Sequence, residues 1–238
     1  MAPAPADPRP APGGARGGRQ VIPRPVGARA GRPAPWAHQP AEDRRVDVAR
    51  VRRALAEAGA GRPTPLAPDG PGAPHSAVLV PLYDEGGAAH VVLTRRAQHL
   101  RSHRGEVSFP GGRGHPGEDP RTTALRETEE EIGLPPSAVE VVGELDHLTT
   151  ISSATAIVPL VGVLPGRPEV RPNPGEVEAV LFVPLEELLA DGVFREERWV
   201  AAGLDRPIWF FELVGDTVWG ATAAMLRQLL ALVTGTAG

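Results

Sequence analysis

Five of the six residues Arg126-Glu127-Thr128-Glu129-Glu130-Glu131 carry charge, and four of those are carboxylates. They end a segment, Asp119 to Ile132, that reads as a helix. Asp119 suits its N-cap, Pro120 its first turn and Gly133 its C-terminal stop. At 100° per residue, Glu127, Glu130 and Glu131 fall within one arc of about 100°. Ala124, Leu125, Thr128 and Ile132 fall on a separate arc, the expected buried stripe. Three carboxylates are therefore expected on a face that is not the core face. This works against the helix: like charges at i, i+3 and i, i+4 cost roughly 0.2–0.5 kcal/mol per pair. Carboxylates in a last turn also oppose the helix dipole, at about 0.3–1 kcal/mol each. A divalent cation reverses both signs, and hard cations such as Mg²⁺ take carboxylate oxygens plus substrate phosphates. An acidic, solvated helix end is the plain alternative, and the cluster alone does not choose between the two.

The cluster has company. Gly112 is followed after five residues by Glu118, and after seven more by Arg126-Glu127, with Glu130-Glu131 and Gly133-Leu134 behind. This spacing resembles the Nudix box, with Thr128 standing where an aliphatic residue is usual, a change that bears on packing rather than chemistry. Upstream, Val92-Leu93-Thr94-Arg95-Arg96-Ala97, then Arg101, Gly105 and Phe109-Pro110-Gly111-Gly112, resembles the signature of the coenzyme A pyrophosphatase branch of that family. Only Val92, for Leu, departs. Downstream, Val218-Trp219-Gly220-Ala221-Thr222 is also similar to this branch. The resemblance spans roughly residues 45–234.

The resemblance implies Glu127, Glu130 and Glu131 as ligands of Mg²⁺ or Mn²⁺, with Glu127 and Glu131 the firmest pair. It implies that Arg126 orients a carboxylate through a bidentate contact, that Glu118 supports the site, and that Gly111 and Gly112 permit a tight entry into the loop before the helix. The implied reaction is hydrolysis of the diphosphate of coenzyme A or an acyl-CoA, giving 3′,5′-ADP and (acyl-)4′-phosphopantetheine. Metal ions would neutralise the phosphates and lower the pKa of the attacking water. A general base comes either from the box or from a later loop, where Glu176 and Glu178 are the candidates; both also read as exposed loop charges.

The stretch Arg95–Arg104 holds four Arg (95, 96, 101, 104) and two His (99, 103). Coenzyme A carries a 3′-phosphate besides its diphosphate, so Arg95, Arg96, Arg101 and His103, with Gly111 and Gly112, are candidate substrate-binding residues. Fold-anchoring arginines in a solvated loop are the other reading. Marks of other Nudix substrates are absent: no Pro stands at 149–152, the one Tyr is Tyr83, and without Cys there is no Cys-rich zinc module. Rival functions remain: a Nudix hydrolase of another nucleoside diphosphate derivative, a non-catalytic Nudix-fold binding module, or an RNA-processing relative using a basic leader.

The elements that must hold these residues follow from patterning. Val48, Val51, Leu55 and Ala58 mark one helix face within Asp43–Ala58. Strands are predicted at Ser76–Tyr83, His90–Arg95, Glu106–Phe109, Val139–Leu145, Ala156–Leu164, Ala179–Val183 and Ile208–Leu213. Short and long helices are predicted at Leu185–Leu189 and Ala221–Val233. This implies an α/β fold, a Nudix-type α/β/α sandwich with a mixed sheet. The 238 residues include 28 Gly and 28 Pro, and residues 1–40 hold ten of the Pro and six of the Gly. Residues 1–41 therefore read as a disordered leader, and 42–234 as the domain. The net charge is −4, and with six Arg against one Asp in residues 1–40 the remainder is −9. An acidic body argues against broad nucleic-acid binding. No apolar run is long enough to span a membrane, and no secretory signal opens the chain, which points to the cytoplasm. Oligomeric state stays open, a homodimer included.

Overall fold

The computed structural model describes residues 15–18, 20–65, 75–149, 155–201 and 203–237. In chain order the elements are β1 (Arg29–Ala30), α1 (Val48–Ala58), β2 (His75–Glu85), β3 (Ala88–Arg96), β4 (Val107–Ser108), β5 (Gly111–Arg113), α2 (Pro120–Ile132) and β6 (Glu140–Glu144). Then follow β7 (Leu148–Thr149), β8 (Ala156–Val163), β9 (Val177–Pro184), α3 (Leu185–Leu189), β10 (Phe194–Ala201), β11 (Leu204–Glu212), β12 (Thr217–Trp219) and α4 (Gly220–Val233).

The main sheet is mixed, as expected. Its central strand β2 runs parallel to β8 and antiparallel to β3 and β5, and β9 pairs with β3. The β2–β3 connection is a two-residue turn, Gly86-Gly87, with both φ values positive at 65° and 81°, the backbone that glycine adopts freely and that matches strand twist. Alternation along β2 sends Ala77, Leu79 and Tyr83 to one face, where they pack with Ala124 and Ile132 of α2. Val80 and Leu82 go to the other, with α1, α3 and α4. Helices thus cover both faces.

Helix α2 starts and stops where its sequence says. Asp119 accepts from the N–H groups of Arg121 and Thr122 at 3.0 and 3.1 Å. Gly133 closes the helix in the left-handed region (φ 70°), its N–H donating to the Glu129 carbonyl. Helix α1 starts later than predicted, at Val48 with Asp47 as cap, because residues 41–44 form a 3₁₀ turn that buries Arg44.

Two features depart from the sequence reading. A second, antiparallel sheet of order β1-β10-β11-β12 packs against the α4 side. Its strand β10 is rich in charge (FREERWV), and that hides it: Glu196 and Glu197 are buried, accepting from the indole N–H groups of Trp209 and Trp199 at 2.9 and 2.7 Å. The stretch expected to be a disordered leader also contributes order. Residues 1–14 lie outside the described residues, but Arg29–Ala30 pair with β10, and Trp36 is 1% exposed, edge-on to Phe194 and stacked on Phe211. Pro and Gly exclude helix here, but they do not exclude an extended segment anchored by one aromatic side chain.

Candidate functional site

Helix α2 packs along strand β5, and Glu127 and Glu131 face the seam between them. Glu131 is 4% exposed, which the helical arc did not foresee. It stands seven residues after Ala124, which at 100° per residue is about 20° short of two turns, so it borders the buried stripe. Its Oε2 accepts from the Gly111 N–H at 3.3 Å, and its Oε1 lies 3.9 Å from Arg96 Nη1. Its carboxyl is raised to about 8, chiefly by burial and then by the charges of Glu176 and Glu127, against the pull of the Gly111 N–H and Arg96. A desolvated acid with one long hydrogen bond and no close cation is under-compensated.

Glu127 lies against Gly112: a Cβ there would stand 2.3 Å from Glu127 Oε2. A Cβ on Gly111, whose φ is +149°, would stand 2.3 Å from the Ala77 carbonyl oxygen. Both glycines, expected to touch substrate, also shape the room for the carboxylates, one by its N–H and the other by having no side chain.

Arg126 grips Glu118 in a bidentate pair, Nε to Oε1 at 2.9 Å and Nη2 to Oε2 at 3.1 Å. Its Nη1 also reaches Glu127 at 2.8 Å and Glu130 at 3.1 Å. Glu118 takes further bonds from the His115 N–H and the Thr123 hydroxyl, which itself lies 3.1 Å from His75 Nε2. The Arg126 pair, followed by the His115 N–H, holds Glu118 well below the usual carboxylate range. Thr128, the departure from the aliphatic norm, is buried and returns its hydroxyl to the Ala124 carbonyl at 2.6 Å.

The three expected metal ligands are not drawn into one cluster. Among the described residues no three acidic or imidazole side chains stand as a ready coordinating group. Glu130 is 56% exposed on its contact with Arg126, whereas Glu127 and Glu131 turn toward Gly111-Gly112. The donor chemistry still fits a hard divalent cation: carboxylate oxygens only, one of them buried without a matching charge.

Around this seam the structure brings Arg96 and Glu176 beside Glu131, Arg96 with a buried Nε that has no hydrogen-bond partner. The Arg96–Arg104 loop is stitched to the loop carrying Glu176 through the Ala97 N–H on the Glu176 carbonyl (2.8 Å) and His99 on the Gly175 carbonyl (3.2 Å). Arg101, His103 and Arg104 are exposed, with His103 at φ 54° and its ring on Glu106. Arg95, expected on the substrate side, makes a bidentate pair through its guanidinium with Asp216 (2.9 and 2.7 Å), which is 1% exposed, and a third contact to Glu178. A buried carboxylate needs that cation, which gives Arg95 a role in the fold. Tyr83 is fully buried, stacked on His90. The position near Thr150 that bears on other substrates lies outside the described residues. Sequence reasoning missed Thr123, His75, Gln20 and Asp216; only the pairing across the fold reveals them.

A family model described as the NUDIX domain matches residues 73–203. "Nudix hydrolase 22, chloroplastic" of Arabidopsis thaliana is 40% identical over 166 residues, covering 66% of this chain and 55% of that protein. "Uncharacterized Nudix hydrolase NudL" of Yersinia enterocolitica is 36% identical over 156 residues, covering 65% of this chain and 79% of that protein. The chain thus spans about half the length of the plant relative. Among solved structures, a Nudix hydrolase from M. smegmatis, RenU, aligns at a TM-score of 0.48 and 21% identity over 69% of this chain and 87% of that one. With the domain model matched from β2 through β10 and the box residues at its seam, this chain belongs to the NUDIX domain family.

Proposed function

We propose that this chain is a hydrolase of the diphosphate linkage in a nucleoside diphosphate derivative, and that its substrate is coenzyme A or an acyl-CoA. The products are 3′,5′-ADP and (acyl-)4′-phosphopantetheine. The observation that carries the reading is the pairing of Glu131, buried and short of positive charge, with Glu127 at the Gly111-Gly112 edge.

Glu127 and Glu131 would hold Mg²⁺ or Mn²⁺, with Glu130 joining when its contact to Arg126 yields. When bound, the ion supplies charge neutralisation of the diphosphate and a lowered pKa for the attacking water. The residues of the chain do the rest. Glu118, fixed by Arg126, the His115 N–H and Thr123, keeps the Arg126 guanidinium aimed along the carboxylate row. Arg96 places a positive charge beside Glu131, where a phosphate oxygen can share it. Glu176 sits on the loop joined to Ala97 and is the proposed acceptor of the water proton. Arg101 and Arg104 stand exposed, beside His103 with its ring on Glu106, where they can meet a second phosphate; Arg95 is instead engaged by Asp216.

Among the described residues no helix is long and apolar enough to cross a membrane. A cytoplasmic, small-molecule enzyme is the setting this reading supports. The test is hydrolysis of a panel (CoA, acetyl-CoA, ADP-ribose, NADH, diadenosine tetraphosphate) with Mg²⁺ or Mn²⁺. Release of 3′,5′-ADP from CoA is the expected result. Turnover of another member with CoA untouched would overturn the substrate and keep the chemistry, and no turnover of any would favour a binding module.

A further inference from the structure

The segment before the domain delivers one polar side chain to the base of the basic loop. Gln20 uses every part of its carboxamide there. Its Nε2 donates to the Gly105 carbonyl and to Asp216 Oδ1, both at 3.1 Å, and its Oε1 accepts from the Thr217 N–H at 3.1 Å. A carbonyl and a carboxylate only accept, and a backbone N–H only donates, so one orientation of the amide satisfies all three. Neighbouring residues hold Gln20 in place. The Gly17 N–H donates to the Leu213 carbonyl at 2.8 Å, and the Gly18 N–H to Thr217 Oγ1 at 2.9 Å. Gly18 must be small, because a Cβ would stand 2.7 Å from the Thr217 nitrogen and 2.8 Å from Asp216 Cα.

Gly105 is where the basic loop closes. Its φ is +67°, its N–H donates to the Arg96 carbonyl at 3.1 Å, and the Arg96 N–H donates to the Glu106 carbonyl at 2.9 Å. The two ends of the loop meet there, directly beneath Arg96, whose Nη1 faces Glu131. Asp216, the second partner of Gln20, is the carboxylate that fixes Arg95. One amide therefore ties together the closing residue of the loop and the anchor of Arg95, the residue just before the loop.

We propose that Gln20 is a positioning residue of the substrate site, setting the Arg96–Arg104 loop relative to Glu131 through Gly105 and Asp216. The proposal rests on the reading that this loop meets an anionic, phosphate-bearing substrate. Loss of Gln20 then loosens the loop without touching the carboxylates, so it weakens substrate capture more than turnover. The Gln20→Met variant keeps the length and apolar volume of the side chain and loses its hydrogen bonds; Gln20→Ala loses both.

The experiment compares the two variants with wild type in the full chain by hydrogen–deuterium exchange and by steady-state kinetics on whichever diphosphate the panel shows to be cleaved. In both variants, exchange across residues 98–106 is expected to quicken while α2 stays protected. KM is expected to rise by about two- to tenfold, the worth of one ordinary hydrogen bond, with kcat within about twofold of wild type. Unchanged exchange in the loop overturns the proposal, as does a Met variant that behaves like wild type, which would reduce Gln20 to packing. If no diphosphate is cleaved, the functional reading falls by itself, and loop exchange alone decides whether Gln20 positions the loop.

Discussion

Replacing Glu131 by Gln tests the least ordinary group in the site. Its carboxyl is pushed from the usual 4.5 up to about 8, first by burial, then by Glu176 and Glu127, against the pull of Gly111 and Arg96. The sign follows from proton binding in the two states. Below about pH 4.5 the acid is protonated both folded and unfolded, and it adds no pH dependence. Between about 4.5 and 8 the unfolded chain gives up the proton while the folded chain keeps it, so stability falls as pH rises. Above about 8 both states are ionised and the loss is complete. At 1.36 kcal/mol per pH unit the gap sets an upper bound of roughly 5 kcal/mol. Gln cannot ionise and fits the same space, so in metal-free protein the variant is expected to match wild type near pH 5 and to exceed it by up to that bound near pH 9. Urea denaturation of chelator-treated protein at several pH values checks this. The two chains differ at this one side chain, so the difference between the curves reports on Glu131. Added Mn²⁺ is expected to raise the wild-type curve most at high pH, because the ion needs the carboxylate, and to leave the Gln variant where it was. Parallel pH curves for the two proteins would refute the assignment of a buried, proton-retaining Glu131.

The remaining expectations are simpler. Glu127→Gln should lower kcat by at least about a hundredfold, because on the proposed function it would remove charge from the bound metal; steady-state rates at saturating Mg²⁺ check it. Gly112→Ala should suppress activity by a similar route, since its Cβ falls 2.3 Å from Glu127 Oε2 and displaces that carboxylate; loss of Mn²⁺ affinity in calorimetry should accompany the loss of rate. For wild type, kcat/KM on dephospho-CoA should fall about tenfold to a hundredfold below that on CoA, the value of one charge-assisted hydrogen bond. Arg101→Ala should shrink that ratio toward one, whereas Arg95→Ala should instead lower the melting temperature by stranding Asp216. Asp119→Ala should destabilise by about 1 kcal/mol through loss of the α2 cap, measurable by denaturant midpoint with little change in kcat.

What the sequence discloses and what it hides divide along the range of the forces involved. Helix α2 was legible end to end because its cap, first-turn Pro and terminal Gly are local devices, each acting within one turn of backbone. The carboxylate row was legible for the same reason, as a spacing on one helix. Its burial was not: whether Glu131 faces water depends on β5 lying alongside, and only the approach of Gly111 and Gly112 turns an exposed arc into a seam. Arginine roles were legible only as a class. Arg95 and Arg96 are adjacent and both read as phosphate binders, yet a register shift between them in the β3–β9 pairing goes with opposite engagements, one to Asp216, 121 residues away, the other toward Glu131. Nothing local to Arg95 announces that partner. The upstream segment carries this furthest. Composition measures how much apolar area a stretch can bury, and by that measure residues 15–41 have little reason to fold. Among them, residues 15–18 and 20–41 are held by specific contacts to distant residues, including Trp36 in the core, Arg29–Ala30 on the β10 edge and Gln20 on Asp216, 196 positions away. A low-complexity stretch held by contacts to distant residues can change what it does through a single residue, and the role proposed for Gln20, which no local pattern in the sequence marks, is of that kind: it reaches the basic loop through Gly105 and Asp216 and makes no contact with Glu127 or Glu131 among those described.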